Sequence, residues 1–227
     1  MLARFAVMAE VSVSKLFPAG AGWQVASLVS SQMGHAADTT SFALMTGVGD
    51  GLAVVAGHTS YNMVKKALFD PKISIASELG TGVWLGAAAV CSGGVWQPLV
   101  NALQASEKLP FEAIFGGAWV GCGLAFFGGL RVGRQLMPWI TSPDNANFST
   151  DAALSMAIGG ASACFVGTDT AYLGGEGNFL RPLVGVEAVD SAVTGCLKAG
   201  TSTAVGFIAA QSVQNITYPK SQAWLDK

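Results

Sequence analysis

Five stretches of this chain, 41–61, 76–101, 112–132, 151–171 and 187–213, each run for twenty or more residues with few charges. A helix of about 20 apolar residues is what a hydrocarbon layer of about 30 Å requires. Inside such a layer backbone N–H and C=O groups find no water, so a crossing segment has to bond internally. A further apolar segment near 19–36 brings the pattern to six. This one, "AGAGWQVASLVSSQMGHA", is the shortest and least apolar. The pattern predicts an all-α, polytopic membrane helix bundle, with an N-terminal amphipathic segment over 1–18 and a single transmembrane domain over 19–227.

Composition agrees. Only 11% of residues are charged, against about 25% in soluble domains. The 29 glycines fall largely inside the apolar runs, where transmembrane helices use them for close backbone approach and soluble helices would be weakened by them. A net charge of −2 gives no basic surface for nucleic acid. No zinc-type cysteine spacing, phosphate-binding loop or nucleophile elbow is present. Neither a nucleophile–base pair nor paired catalytic carboxylates stand on one helix. The chain is therefore expected not to be an enzyme and to hold no metal or obligatory cofactor. Cys91, Cys122, Cys164 and Cys196 fall one to an apolar run and read as small packing residues.

Loop charges test the span count and orient it. With six spans, one side receives Arg4, Lys15, Lys65, Lys66, Lys72, Arg131, Arg134, Lys220 and Lys227, and the other only Lys108 and Arg181. Without the first span, Arg4 and Lys15 change sides and the asymmetry shrinks from nine against two to seven against four. Basic residues gather on the side from which a membrane protein is inserted. Both termini are thus expected on the cytoplasmic, matrix or stromal side of an integral membrane protein. At the N-terminus, Leu2, Phe5, Ala6, Ala9, Val13, Leu16 and Phe17 share one helical face that Arg4, Glu10, Ser14 and Lys15 avoid. This predicts an interfacial amphipathic helix ending at Pro18.

Laid on itself with an offset of 110 residues, the chain matches Ala43, Leu44, Gly49, Ala53 and Gly57 to Ala153, Leu154, Gly159, Ala163 and Gly167. Further along, after the register shifts to an offset of 114, Gln97 and Asn101 fall on Gln211 and Asn215. The candidate repeat units are 19–110 and 111–227. Each holds three spans, and an odd number forces opposite orientations, the inverted-repeat arrangement of many transporters. Gly47-x-x-x-Gly51, Gly117-x-x-x-Gly121 and Gly129-x-x-x-Gly133 are small-residue packing patterns, expected to serve contacts within the chain before contacts between copies.

The charged residues inside the spans are the functional candidates. Asp50 lies near the middle of the second span and Lys198 near the middle of the sixth. A bare charge there costs ~3 kcal/mol or more, so such residues turn inward and find partners. Depth alone suggests that the two meet. Around Asp50, Ala43, Gly47, Val54 and Gly57 share its face, leaving Leu44, Val48, Leu52 and Val55 for lipid. Around Lys198 a hydroxyl stripe contains Ser191, Thr194, Thr201 and Ser202, suited either to a wet cavity wall or to interhelical hydrogen bonds. His58 is a candidate proton relay or ligand, and Asp169 a candidate vestibule residue. Glu78, Glu112, Asp151, Glu187 and Asp190 open their helices and read as first-turn acids that favour the helix dipole. Trp84, Trp96, Trp119, Trp139 and Trp224 read as aromatic anchors, some of them at the membrane interface.

Two functions fit. One is a channel- or transporter-like pathway for an ion, proton or small solute, with Asp50, Lys198, Thr194, Thr201 and Ser202 on its wall. The other is a structural subunit of a larger organellar membrane complex, respiratory or photosynthetic. In that setting His58, Gln97, Asn101, Gln211 and Asn215 are candidate ligands for a pigment, and a bound lipid would be natural. The expected partners are the lipid bilayer and either copies of the chain or other subunits.

Overall fold

In the computed structural model the described residues are 2–105, 109–140, 148–173 and 192–217; side chains are described for these except at 2, 104, 111, 164–173 and 192–194. They form α1 (Leu2–Val11), a π-helical turn (Ser12–Leu16), α2 (Phe17–Gln32), α3 (Thr40–Leu68), α4 (Ile75–Gln104), α5 (Phe111–Leu136), α6 (Phe148–Leu173) and α7 (Ala192–Thr217). Because α1, the π turn and α2 are continuous, these amount to six helical rods, with no strand among the described residues.

Three rods are long and apolar enough to cross a membrane, over Thr40–Leu68, Ile75–Leu103 and Glu112–Leu136. Local chemistry sets their starts. Thr39 caps α3, its hydroxyl accepting from the Phe42 N–H at 3.2 Å, and Ser74 caps α4 in the same way through Ser77. Each cap satisfies one of the N–H groups that a helix start leaves without an intrahelical partner.

The helix expected to stop at Pro18 does not stop. The chain absorbs the proline with the π turn just before it, and Phe17 N–H bonds to Ser12 O in the wider register. Pro18 has no N–H to offer the Ser14 carbonyl. That carbonyl faces Gly57 of α3, where a Cβ would lie 2.6 Å from it. The face of α1 and the π turn that packs inward carries Met8, Ser12 and Leu16, while Phe5 and Val13 of the expected apolar stripe are exposed.

Neighbouring rods run antiparallel. Gly22 faces Gly49 and Ala53 across α2–α3, Gly51 faces Gly86 across α3–α4, and Gly121 faces Leu99 across α4–α5. Gly123 then faces Ser155 and Gly159 across α5–α6, and Gly20 faces Ala199 and Thr203 across α2–α7. The last contact, together with α6 against α7, closes the six rods into a ring. The small-residue patterns at Gly47/Gly51, Gly117/Gly121 and Gly129/Gly133 are all spent on these internal seams.

The outside of the ring is apolar. Leu44, Val48 and Leu52 of α3 are exposed, while Ala43, Gly47 and Val54 are buried, as expected; Val55, expected to face lipid, packs instead against Gly86 of α4 because it falls on the α3–α4 seam. Leu124 of α5 and Val205 of α7 continue this surface. Buried clusters lie between the rods: Trp23, Phe42, Trp96 and Cys122 in one, Val54, Leu85, Phe126 and Leu130 in another, and Met8, Leu16, Ala157 and Phe207 in a third.

Candidate functional site: a cavity inside the ring

The ring encloses a cavity of about 490 Å³ to which every rod contributes. From the N-terminal rod come Lys15, Ala19 and Trp23, and from α3 Asp50 and Val54. α4 contributes Trp84, Leu85, Ser92, Gly93 and Trp96, and α5 contributes Phe126 and Arg134. α6 adds Asp151, Leu154, Ile158 and Ser162, and α7 adds Thr203. From Trp84 to Trp96 the wall follows α4 for about 18 Å of helix.

One end is aromatic. The Trp23 and Trp96 rings meet edge-on with centroids 4.8 Å apart, and Phe42 meets Trp23 at 6.4 Å. Both indole N–H groups are taken by backbone: Trp23 Nε1 donates to Gly93 O and Trp96 Nε1 to Ser162 O, each at 3.3 Å. These bonds tie the N-terminal rod to α4 and α4 to α6. Together the three rings form a buried aromatic cluster at this end, here called the plug.

Asp50 lies on the wall just short of this plug. Its Oδ2 points at Gly93, where a Cβ would lie 2.5 Å away. Its Oδ1 is buried with no hydrogen-bond partner. A buried acceptor left unsatisfied is costly, and among the described residues Asp50 Oδ1 is the buried, unpartnered side-chain atom that lies on this cavity. The expected meeting with Lys198 is not found. Gly22 faces Gly49 on one side of α2 and Gln24 faces Gly195 on the other, which sets Asp50 and Lys198 at similar heights with α2 between them.

The opposite end is charged. Asp151 is buried, and Arg134 grips it with Nη2–Oδ1 at 2.7 Å and Nε–Oδ2 at 2.9 Å. Arg131 adds a longer contact of 3.4 Å. The Arg134 guanidinium also lies 4.3 Å from the Trp84 ring centroid, a cation–π stack. Lys15, on the π turn, donates to Ser14 Oγ at 3.2 Å. Around this end, Lys65 pairs with Glu10 at 3.1 Å and His58 with Glu78 at 2.9 Å.

Several candidates take other places than expected. His58 is buried between α3 and α4 and held by Glu78; it is not on the cavity wall. Thr201 is exposed and Lys198 half-buried, and neither lines the cavity. The face of α7 that meets α2 carries Gly195, Ala199 and Thr203 instead, so the hydroxyl that reaches the cavity is Thr203, one hydroxyl further along the helix than Ser202, which is buried. Gln97 donates to Asn101 at 2.7 Å, and Asn101 reaches Ala37 O in the α2–α3 loop; the pair braces a helix end. Gln211 is fully buried on α7, and Asn215 Nδ2 contacts Met8 Sδ at 3.7 Å. Asp151 is no mere first-turn acid, and Trp84 and Trp96 turn inward rather than to an interface. Thr194 and Asp169 fall on α7 and α6 with side chains outside the described residues; Ser191, Glu187, Asp190 and Trp224 lie outside the described residues altogether.

Sequence reasoning missed Trp23, Ser92, Ser162 and Arg134. Trp23 sits in the least apolar expected span, where a buried indole is hard to separate from an interfacial one. Arg134 looked like an ordinary loop charge, three residues past Arg131. Comparison of the chain with protein-family models, with curated proteins and with solved structures gave no match.

Proposed function

We propose that the chain is a six-span membrane protein whose helical ring encloses a pathway for an ion, proton or small solute, with Asp50 as its binding group. The observation that carries this reading is the buried, unpartnered Asp50 Oδ1 on the wall of a cavity that every rod helps to build. Ionisable groups inside a membrane domain mark pathways when they face a cavity. The cavity runs from the end bearing Lys15 and Arg134 to the Trp23–Trp96–Phe42 plug. The basic end is the cytoplasmic, matrix or stromal side on this reading, so the site faces inward and repacking of the plug would open it outward.

An inverted repeat gives that motion a basis. Supporting it, the middle helix of each unit meets the first through a glycine pair, Gly49 against Gly22 and Gly159 against Gly123. Gln97 and Asn101 lie at the C-terminal end of α4, Gln211 and Asn215 at that of α7, and the alternating run of the rods puts these ends on opposite faces.

A structural role in a larger complex is the second reading. It is favoured by Gly116 and Gly128 of α5, where a Cβ would meet nothing within 4 Å, leaving flat spots suited to a neighbouring helix. Flux in reconstituted liposomes under an imposed pH and then K⁺ gradient separates the two. Transport by the wild type that is lost in a folded Asp50→Asn protein supports the pathway; silent wild-type liposomes, with co-migration in a respiratory or photosynthetic assembly, support the subunit.

A further inference from the structure

We propose that the deep half of the cavity binds an organic ammonium ion, its cationic head on Asp50 and its hydrocarbon along the apolar wall; this rests on the cavity being a solute site. Three features of the wall point to that class. The carboxyl oxygen Oδ1 is buried and lacks a donor, so a bound head must bring an N–H or O–H, and a cationic head would also balance the charge of the ionised carboxylate. Beside it stand Trp23 and Trp96, and indole faces attract ammonium groups through their quadrupole. The remaining wall, from Val54 and Leu85 to Phe126 and Ile158, is hydrocarbon.

That wall argues against a bare inorganic cation. Such ions give up water only for a shell of several oxygens, and the deep half offers one carboxylate with the hydroxyls of Ser92 and Ser162. An alkylammonium keeps only a small polar head and gains by burying its chain. The volume of about 490 Å³ is that of a small-molecule site. Anions are poorly served: Arg134 at the far end is already held by Asp151. Lys15 at that same end repels the head and so directs it to Asp50.

The test uses the purified full chain in detergent and three probes of matched size: n-hexylammonium, hexan-1-ol and hexanoate. Binding is followed by calorimetry and by fluorescence of the cavity tryptophans. The expected result is saturable binding of hexylammonium alone, undisturbed by excess K⁺ and weakened at least ~30-fold by Asp50→Asn, as for loss of one partner of a buried charge pair. Asp50→Glu restores it in part. Trp96→Phe keeps binding and Trp96→Leu weakens it, which keeps the test open if Asp50→Asn fails to fold. Equal binding of hexanol or hexanoate, displacement by K⁺, or affinity unchanged in Asp50→Asn or Trp96→Leu overturns the proposal. Flux of an inorganic ion without hexylammonium binding sinks this inference and leaves the pathway standing; binding without flux does the reverse.

Discussion

Removing the Asp151 carboxylate tests whether the charged end of the cavity is held by a buried ion pair or by scattered surface charge. Arg134 and Asp151 side chains are 11% and 2% exposed and joined by two short bonds, whereas Arg131 is 39% exposed and 3.4 Å away. Breaking a buried pair by deleting one partner costs about 3–5 kcal/mol, because the other charge stays in the interior. An acid acting only on the dipole of its helix is worth about 0.3–1 kcal/mol. In a chain of this length 1 kcal/mol moves the thermal midpoint by about 2–4 °C. Asp151→Ala should therefore lower the midpoint by about 6–20 °C in detergent, followed by circular dichroism with monodispersity checked by gel filtration. Arg131→Ala, losing a half-exposed contact, should cost less than ~1 kcal/mol. Arg134→Met combined with Asp151→Ala should recover much of the loss, since an apolar pair leaves no stranded charge. A shift below about 2 °C for Asp151→Ala, or a double variant as unstable as the single, would refute this reasoning.

Other outcomes follow from the same geometry. Gly159→Ala should destabilise by about 1–3 kcal/mol, because its Cβ would collide with Trp119 O, while Gly116→Ala, with open space around it, should stabilise by about 0.5–1 kcal/mol through helix propensity; thermal midpoints compare the two. Lys198→Met should leave any flux as in wild type, since Lys198 does not line the cavity, and a loss matching that of Asp50→Asn would mean the two residues are coupled after all. His58→Gln should lower stability through the lost Glu78 contact yet leave the pH dependence of flux unchanged; a displaced pH profile would reinstate His58 as a relay.

The periodic part of this fold was readable because a helix with one packed face repeats it every turn. The exposed Leu44, Val48 and Leu52 opposite the buried Ala43, Gly47 and Val54 follow directly from that period. The glycines were legible as packing residues, though not which seam each would join. What failed was anything that needed the arrangement of helices around the ring. Asp50 and Lys198 do share a height, but only the closure of α7 on α2 reveals that a helix stands between them. On α7 the rotation of one helix decides whether Thr201 or Thr203 meets the cavity, and a stripe of hydroxyls on two faces carries no mark of it. Pro18 read as a stop because an α-helix cannot supply its missing N–H; the π turn at Ser12–Leu16 is a tertiary solution, made worthwhile by Gly57 packing against it. Asp151 met every local criterion of a first-turn acid, and its partner on the previous helix was visible only once α5 and α6 were brought together.

The most direct test of the central claim is whether water reaches the cavity, and from which side. Ser92 lies on its wall, close to Asp50's neighbour Gly93. In a background with the four cysteines replaced, Ser92→Cys in sealed liposomes should react with a membrane-impermeant thiol reagent added on the basic side and stay unlabelled from the other, while Leu52→Cys on the lipid face stays unlabelled from both. A Ser92→Cys protein that is folded yet inert from both sides would make the interior dry, and Asp50 a structural residue rather than the heart of a pathway.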